Sequence, residues 1–441
     1  LDLKYTFDNG IALRSITGYA AGGGSERVDL DGTAIPAFHG IVFHDHGEEK
    51  IVSEELNLLS PTTGPLTWIL GGYFQHDHVD LPAGYGFDIG VPAGTVDIAL
   101  EYHTPKEHEA VFGQATYDVT SALQVQLGLR FNHSTFDLES NQQTLFLASI
   151  PLTSYLAPCP ATIPAGLVCS NQVHQSDSAL TGKLDVNYKL DADNFLYAFV
   201  ATGHKDGALN TTPDINGPGN PPGEIKPERL IDYEVGWKSN LFDDHLRTTL
   251  DAFYNNYHDF QVTLATSPGQ SAILNTKTAN IYGFEAQGNA VFGQLSFDFA
   301  GSYVHGAFGS DVVTDPRFFD AVDINGHQMV YSPHFTFDFG AQYDFQLGNG
   351  DTLTPRVDYA FVDSQTTSIF NVPGLDQLGV RHVLNLQLTY AFQDNWEITA
   401  FATNVADDKY IAAFSAGAPI SSNLRNAGPP RQFGVRVTKA F

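Results

Sequence analysis

Two His-Asp-His triplets are the residues in this sequence whose type and spacing best suit metal chemistry. The first lies in FHDHGEEK and contains His44 and His46, and the second lies in GGYFQHDHVD and contains His76 and His78. Imidazole nitrogens bind Zn, Cu, Ni and Fe, and nearby carboxylates orient the rings. The triplets can form one site only if the fold brings them together, so the elements that position them come first.

The composition excludes several classes of protein. The 441-residue chain has a formal net charge of −28, 12% aromatic residues and only 16% charged residues. An acidic surface repels phosphate, which excludes a nucleic-acid partner, and so low a charged fraction is unusual for a soluble globular protein. No run reaches the roughly 18 apolar residues that a membrane helix needs, and no signal peptide is recognisable at Leu1.

The two cysteines, Cys159 and Cys169, stand close together in the Pro-containing stretch CPATIPAGLVC. With no other cysteine available, this pair predicts a small disulfide-closed loop and an oxidising compartment. A zinc or redox site of the Cys-x-x-Cys type requires tighter spacing, which disfavours that alternative.

Alternation of apolar and polar residues dominates the chain and predicts an all-β protein. In ALQVQLGLRFNHS, the apolar side chains from Leu123 to Phe131 occupy every second position, with Gln126 and Arg130 among those between them. Many such segments exceed ten residues, which is longer than soluble strands and typical of membrane barrels. Aromatic residues near the ends of these segments, such as Trp237, Trp396 and Tyr390, suit interfacial girdles. We therefore predict an antiparallel transmembrane β-barrel with about 17 strands.

The links between the predicted strands alternate between short and long. The short links are typical of periplasmic turns, and the long Gly/Pro-rich links are typical of extracellular loops. With this assignment the first strand starts outside, whereas a complete bacterial barrel starts and ends in the periplasm with an even number of strands. We therefore expect residues 1–441 to be part of a longer barrel. The long links include 136–176, 203–227, 306–331 and 407–430.

Seven stretches in order along the chain carry a resemblance to a known family. The sequence resembles the C-terminal barrel of TonB-dependent receptors, the plugged 22-stranded transporters of Gram-negative outer membranes. The stretches are ALRSITGY, SEELNLLSPTTGPLTWILGGYF, NFLYAFVATGHKDGALN, IKPERLIDYEVGWKSNLFDDHLRTTLDAFYNNYHDFQV, ANIYGFEAQG, FATNVADDKY and PRQFGVRVTKAF. Two positions depart from the family's usual pattern: His204 stands where Phe is common, and Lys439 stands where an aromatic residue is common.

The resemblance implies what the parent protein does and what it contacts. It implies an outer-membrane receptor that imports a scarce ligand such as a ferric siderophore, with energy supplied through TonB. It also implies an upstream plug domain and about five further strands, since a 22-stranded lumen needs a plug. The expected partners are outer-membrane lipid, TonB through the plug region, and a small-molecule or metal-chelate ligand. We expect a monomer without a cofactor.

The predicted hairpin around Thr62 and Thr63 places the second triplet. Antiparallel pairing about this turn makes partner numbers sum to about 125, so His46 should lie near His78 at the extracellular ends of neighbouring strands. Period two puts His76 and His78 on one face, which the alternation alone does not assign to the lumen or the exterior. The metal interpretation uses His46, His76 and His78, with His44 as a further ligand candidate; the alternative is a set of solvated loop residues.

Two other expectations concern the ligand and catalysis. Tyr254 and Tyr257, in DAFYNNYHDF, are candidates for stacking on a sugar or an aromatic ligand, or for girdle and lumen packing. No Gly-x-Ser-x-Gly elbow occurs, and the Asp-Asp-His run at 243–245 falls in a predicted short turn, so we expect no enzyme activity. The alternatives to a receptor are a passive porin-like channel and a surface adhesin. Fold alone does not identify the ligand.

Overall fold

The structure is a computed structural model that describes residues 1–29, 41–91, 94–146, 168–209, 224–267, 270–392, 395–416 and 423–440. No helix within these ranges is long and apolar enough to cross a membrane. One large antiparallel sheet of 18 segments dominates the fold. Two of its segments, Phe335–Tyr343 and Phe345–Gln346, pair with the same neighbour and continue one strand, so the sheet has 17 strands. The predicted all-β class and the strand count are confirmed.

Each strand pairs with the next along the chain, from β1 to β17. The strands are β1 Asp2–Thr6, β2 Ala12–Asp29, β3 Ile41–Leu59, β4 Leu66–Val91, β5 Gly94–Asp118, β6 Leu123–Phe146, β7 Val168–Lys189, β8 Asn194–Lys205, β9 Glu228–Leu241, β10 Leu246–Ser267, β11 Gln270–Phe292, β12 Leu295–Phe308, β13 Phe335–Tyr343 with its continuation, β14 Thr352–Val362, β15 Arg381–Phe392, β16 Trp396–Thr403 and β17 Gln432–Lys439. Such a meander is the topology of an up-and-down barrel wall.

The two ends of the wall differ in the length of their links. Links of two to six residues join the strands at one end, which we call the turn end, as between Leu59 and Leu66. At the other end, the loop end, links include 309–334, 363–380 and 404–431. Four short antiparallel ribbons lie among the loop-end links: Ala208–Leu209 with Glu224–Ile225, Val312–Asp315 with Asp320–Asp323, Gln365–Thr366 with Gln377–Leu378, and Ile411–Ala416 with Asn423–Ala427.

The alternation observed in the sequence separates two faces of the wall. Leu127, Leu129 and Phe131 are among the large apolar side chains left exposed on the outer face. Polar side chains occupy the alternate positions, and Arg356 there contacts both Asp298 and Asp358, at 2.9 and 2.5 Å. An apolar exterior around a polar interior is the arrangement of a membrane barrel. The core of packed apolar side chains lies at the loop end, on the lumen side.

Candidate functional site

A small hydrophobic core lies where two long loops meet the loop ends of β10, β11 and β12. We call it the loop core. Tyr257 and Ile281, on the lumen side of their strands, pack against it, which places it on the lumen side of the wall. Its buried members are Val262, Leu264, Ala279, Phe308, Val313, Ile324, Met329, Ile369 and Phe370. Burial of so many apolar groups indicates that these loops are folded parts of the protein rather than solvated connections.

A local reversal in β10 supplies this core from one strand. Asp259 has a φ of 52°, a left-handed conformation that Asp adopts more readily than most residues. Strict alternation would separate Tyr257 from Phe260, but past Asp259 the even-numbered residues Val262 and Leu264 are buried. The rings of Tyr257 and Phe260 meet edge to face at 5.1 Å. The reversal therefore brings side chains of both parities to the same side of the strand.

A buried ion triad holds the loops 309–334 and 363–380 together. Arg317 contacts Asp315 at 2.8 Å and Asp376 at 2.5 Å, and the two aspartates have side-chain exposures of 1% and 0%. Burial alone would lower the pKa of Arg317, but the hydrogen bonds from both carboxylates outweigh it and raise that pKa. The guanidinium group therefore stays charged and is fully engaged by its two partners.

Backbone contacts add further links between the same loops. The Nδ1 atom of His327 lies 2.8 Å from the carbonyl oxygen of Ile369. The N–H of Tyr331 donates to the carbonyl of Thr366 at 2.9 Å. The hydroxyl of Tyr331 reaches the carbonyl of Phe414 at 3.3 Å, which connects a third loop. The loop core is thus tied across three of the loop-end connections.

A half-enclosed cavity of about 510 Å³ lies against the loop core. Its volume is in the range of small-molecule sites. The polar groups in its wall are largely bonded to one another: Thr367 donates to the carbonyl of Asp376, and Ser368 accepts from the N–H of Phe370. Most of the remaining wall is apolar and aromatic, formed by residues such as Phe260, Val262, Leu264, Phe308, Met329, Ile369, Phe370 and Phe414. The cavity is the candidate ligand site.

The two predicted ligand-stacking tyrosines lie on opposite faces of β10. Tyr257 belongs to the lumen side and packs against the loop core. Tyr254 is exposed on the outer face, where its ring lies 6.4 Å from that of Tyr233 and its hydroxyl donates to Asn280. Only Tyr257 is therefore placed beside the candidate cavity, whereas Tyr254 is placed as an outer-face girdle residue.

The second histidine triplet faces the exterior. Exposed Leu66, Leu70 and Phe74 share the parity of His76 and His78, so these imidazoles continue the outer face past the apolar band. His76 Nδ1 lies 3.3 Å from a carboxylate oxygen of Glu107, and His78 Nε2 lies 3.0 Å from one of Asp80.

Asp80 is shared by two imidazoles beyond the end of the apolar band. His103 Nδ1, on β5, lies 2.6 Å from its other oxygen, so the predicted approach of His103 to this triplet is found. The hydrogen bond with His103, helped by the charges of His78 and His103, holds the pKa of Asp80 below its ordinary value. The arrangement is a row of imidazole–carboxylate contacts on an exposed surface.

The predicted register between β3 and β4 is wrong by three residues. His78 pairs with Lys50 and His76 with Val52, so partner numbers sum to 128 rather than about 125. The physical reason is that the turn is centred nearer Gly64, whose φ of 108° suits glycine alone. His46 instead pairs with Ser25 of β2 and lies in the segment where the register with β4 shifts.

The remaining predicted site residues lie partly outside what the structure describes. Within the described residues, no group of three or more His, Cys, Asp or Glu side chains is arranged to hold a metal ion. The side chain of His44 and all of Cys159 fall outside the described residues, and Cys169 is described only as a backbone position in β7. The metal site at His46, His76 and His78 and the Cys159–Cys169 disulfide therefore stay predictions.

The sequence reading missed the loop core and its ion triad. The available signal was the apolar character of two segments placed in loops, FFDAVDI and SIFNVPGL, which contain residues 318–324 and 368–375. Solvated loops rarely hold such clusters of Phe, Ile and Val. Arg317 and Asp376 are 59 positions apart, so no local pattern joins them.

Comparison with known proteins identifies the family. The family model described as TonB dependent receptor-like, beta-barrel matches residues 1–405. A pesticin receptor of Yersinia enterocolitica is 24% identical over 211 residues, which cover 47% of this chain and 27% of that protein. The chain thus spans about a quarter of the length of this curated relative.

Solved structures of low sequence identity share the fold. The ferric yersiniabactin uptake receptor FyuA from Yersinia pestis matches with a TM-score of 0.75 and 17% identity, covering 98% of this chain and 59% of that one. The siderophore receptor PiuA from Acinetobacter baumannii matches with a TM-score of 0.69 and 16% identity, covering 99% and 63%. The 17-strand meander and the family match together lead to one conclusion: this chain belongs to the TonB-dependent receptor-like β-barrel family.

Proposed function

We propose that this chain is the C-terminal barrel portion of an outer-membrane receptor that imports a scarce ligand, such as a ferric siderophore, with energy supplied through TonB. The observation that carries the proposal is the cavity of about 510 Å³ beneath folded loops at the loop end of the barrel. The family match and the siderophore-receptor titles of its structural neighbours support the same class of ligand.

The loop core supports a binding role over simple permeation. A passive pore needs only loops that leave its lumen open, whereas this protein maintains a buried ion triad and an apolar core next to a cavity. Buried ionic groups are retained where they fix one conformation of a segment, which a specific binding site requires. Among the candidate residues, Tyr257 is the one that packs beside this cavity.

The rest of the assignment follows the family. The parent receptor is proposed to contain a plug domain and further strands outside residues 1–441, to act as a monomer in the outer membrane and to contact TonB through the plug. We also propose the Cys159–Cys169 disulfide, which peptide mapping under non-reducing conditions would detect as one linked peptide pair.

Uptake of radioactive iron tests the proposal. The receptor gene is returned to cells lacking their own receptors, with and without functional TonB, and the cells are offered ferric hydroxamate, catecholate and carboxylate chelates. We expect uptake of at least one chelate only when both the receptor and TonB are present. Uptake that does not need TonB would indicate a passive channel, and binding without uptake of any chelate would indicate an adhesin; either result would overturn the proposal.

A matched pair of Phe→Ala variants tests the cavity. Phe370 is 5% exposed and lines the cavity, whereas Phe345 is 47% exposed on the outer face near the turn end. We expect Phe370→Ala to weaken binding of the imported chelate at least about tenfold, as loss of a buried aromatic contact does. Phe345→Ala should leave binding unchanged. Equal binding by both variants would remove the cavity from the proposed site.

A further inference from the structure

Histidines recur on the outer face of the wall just beyond the apolar band at the loop end. On four strands the histidine takes the next outward position after an apolar or aromatic residue, as His133 does after Phe131 and His305 does after Tyr303. We call the set the histidine row. Its members are His76, His78, His103, His133, His174, His258, His305, His334 and His382.

The turn end of the same outer face is built differently. All three tryptophans lie there with outward parity: Trp68 near the start of β4, Trp237 near the end of β9 and Trp396 at the start of β16. Tryptophan is the usual residue of a membrane–water interface. His245 is the only histidine at a described turn-end link. The replacement of tryptophan by histidine at one interface indicates different chemistry in the layer that covers it.

Carboxylates divide the histidine row into two sectors. In the first sector, on β4 to β7, His76, His78, His103 and His174 each lie within 2.6–3.3 Å of a carboxylate oxygen. In the second, which we call the open sector, none of His258, His305, His334 and His382 forms an ion pair with a described carboxylate. An imidazolium in the first sector is already neutralised, whereas one in the open sector is available to an outside anion.

The open sector presents ring nitrogens and aromatic faces together. His334 Nδ1 lies 3.0 Å from the carbonyl oxygen of Val304, and His382 Nδ1 lies 2.8 Å from the hydroxyl of Tyr359. The rings of His305 and His334 stack at 5.4 Å. Each of these histidines can direct its remaining ring nitrogen to a group outside the wall.

The charged and titratable groups that face the open sector are few. Arg229 of β9 pairs across from His258, and Tyr282 of β11 and Tyr303 of β12 stand beside His305 and His334. Asp408 lies near His382, where it accepts the backbone N–H at 2.9 Å. With one guanidinium group and one engaged carboxylate, protonation of the four imidazoles decides the local charge.

We propose that the open sector binds phosphate groups of lipid headgroups in the leaflet at the loop end. The proposal rests on placement of the barrel in the outer membrane but not on import of any ligand. Imidazolium N–H groups donate to phosphate oxygens in charge-assisted hydrogen bonds, and the stacked rings sit at headgroup level as interfacial aromatic residues do. Binding strengthens as the pH falls, because histidine gains its charge just below neutral pH.

Native mass spectrometry of the intact receptor tests the proposal. The probes are diphosphoryl lipid A and the same lipid A with both phosphates removed, each added to detergent-solubilised receptor at about pH 5.5 and about pH 8, on either side of the histidine range. We expect the diphosphoryl lipid to be retained more strongly at the lower pH, by about fivefold for each imidazolium in contact, and the dephosphorylated lipid to show no such difference.

Matched variants localise the effect. His258→Gln and His382→Gln replace exposed side chains, singly and together, and should reduce or abolish the pH difference without disturbing the fold. His245→Gln, at the turn end, should retain it. The proposal is overturned if the His245 variant loses the difference equally, if the dephosphorylated lipid binds as well, or if inorganic phosphate displaces the lipid, which would indicate a site for free anions.

Discussion

Two regions of the loop end solve the same problem, the extension of strands beyond the membrane, in opposite ways. On β10 to β15 the loops 309–334 and 363–380 fold back on the wall, bury Ile369 and Phe370, and enclose a cavity. On β3 to β5 the strands continue past the apolar band and expose a row of imidazole–carboxylate contacts.

The difference shows what makes a loop a binding element. Both regions contain charged pairs, but those of the exposed row stay partly solvated, with the side chain of His103 40% exposed, whereas Arg317 is 8% exposed between its two aspartates. A buried pair constrains its surroundings because breaking it leaves an unpaired charge, while a solvated pair can open at little cost. The packed region is therefore expected to hold one conformation and the exposed region to be adaptable.

Removal of the cation in the triad should have the largest effect on this contrast. Arg317→Met leaves two buried carboxylates without their partner, and we expect the opening free energy of the loops to fall by about 3–5 kcal/mol. Hydrogen exchange of peptides from 309–334 and 363–380 measures it. The loss should be smaller at acid pH, where protonation of a carboxyl relieves the repulsion.

The control for this prediction is an exposed pair in a neighbouring loop. Lys409 contacts Asp407 at 2.8 Å with 74% of its side chain exposed. Lys409→Met should cost less than about 1 kcal/mol. Comparable exchange in the two variants would mean that the buried triad does not distinguish the packed region.

Truncation of one core side chain should have the next largest effect. Ile369 is fully buried in the loop core, and Ile369→Ala is expected to destabilise the loops by about 2–4 kcal/mol through lost burial and a residual cavity. Val312, 65% exposed in the same loop system, gives the control, since Val312→Ala should change stability by less than about 0.5 kcal/mol. Exchange in 363–380 that is no faster for Ile369→Ala than for the control would contradict a packed core.

The exposed row should show the smallest effect. His103→Gln removes the hydrogen bond to Asp80, and we expect a change below about 1 kcal/mol in the exchange of peptides covering 76–80. The pKa of Asp80 is lowered from its ordinary 3.8, so any contribution is present at neutral pH and is lost as the pH falls below that value. A loss as large as that of Arg317→Met would erase the difference between the regions.

Sequence reasoning succeeds here where the structure is periodic. Alternation identifies the outer face from residues such as Leu127 and Phe131 and puts His76 and His78 on one face, because a side-chain period of two is a property of any strand. It fails where one residue changes the count: the centre of the turn near Gly64 shifts the register by three positions, and the positive φ of Asp259 reverses the alternation.

The candidate cavity could not be predicted from the sequence for a related reason. Its wall joins β10 side chains such as Val262 to Ile369 and Phe370, more than one hundred positions away, through loops with no regular period. The contact between Arg317 and Asp376 is equally non-local. Contacts of this kind depend on the closed arrangement of the wall, which brings distant loops together only after the strands have paired.

The placement of all three tryptophans at the turn end has an optical consequence. Intrinsic fluorescence of this barrel comes mainly from Trp68, Trp237 and Trp396, so its emission reports on the layer around one rim only. Brominated lipids that quench this emission would measure depth at that rim and be blind to the opposite one. Conversely, a change in emission when a ligand binds beneath the loops would be a signal carried across the full height of the wall.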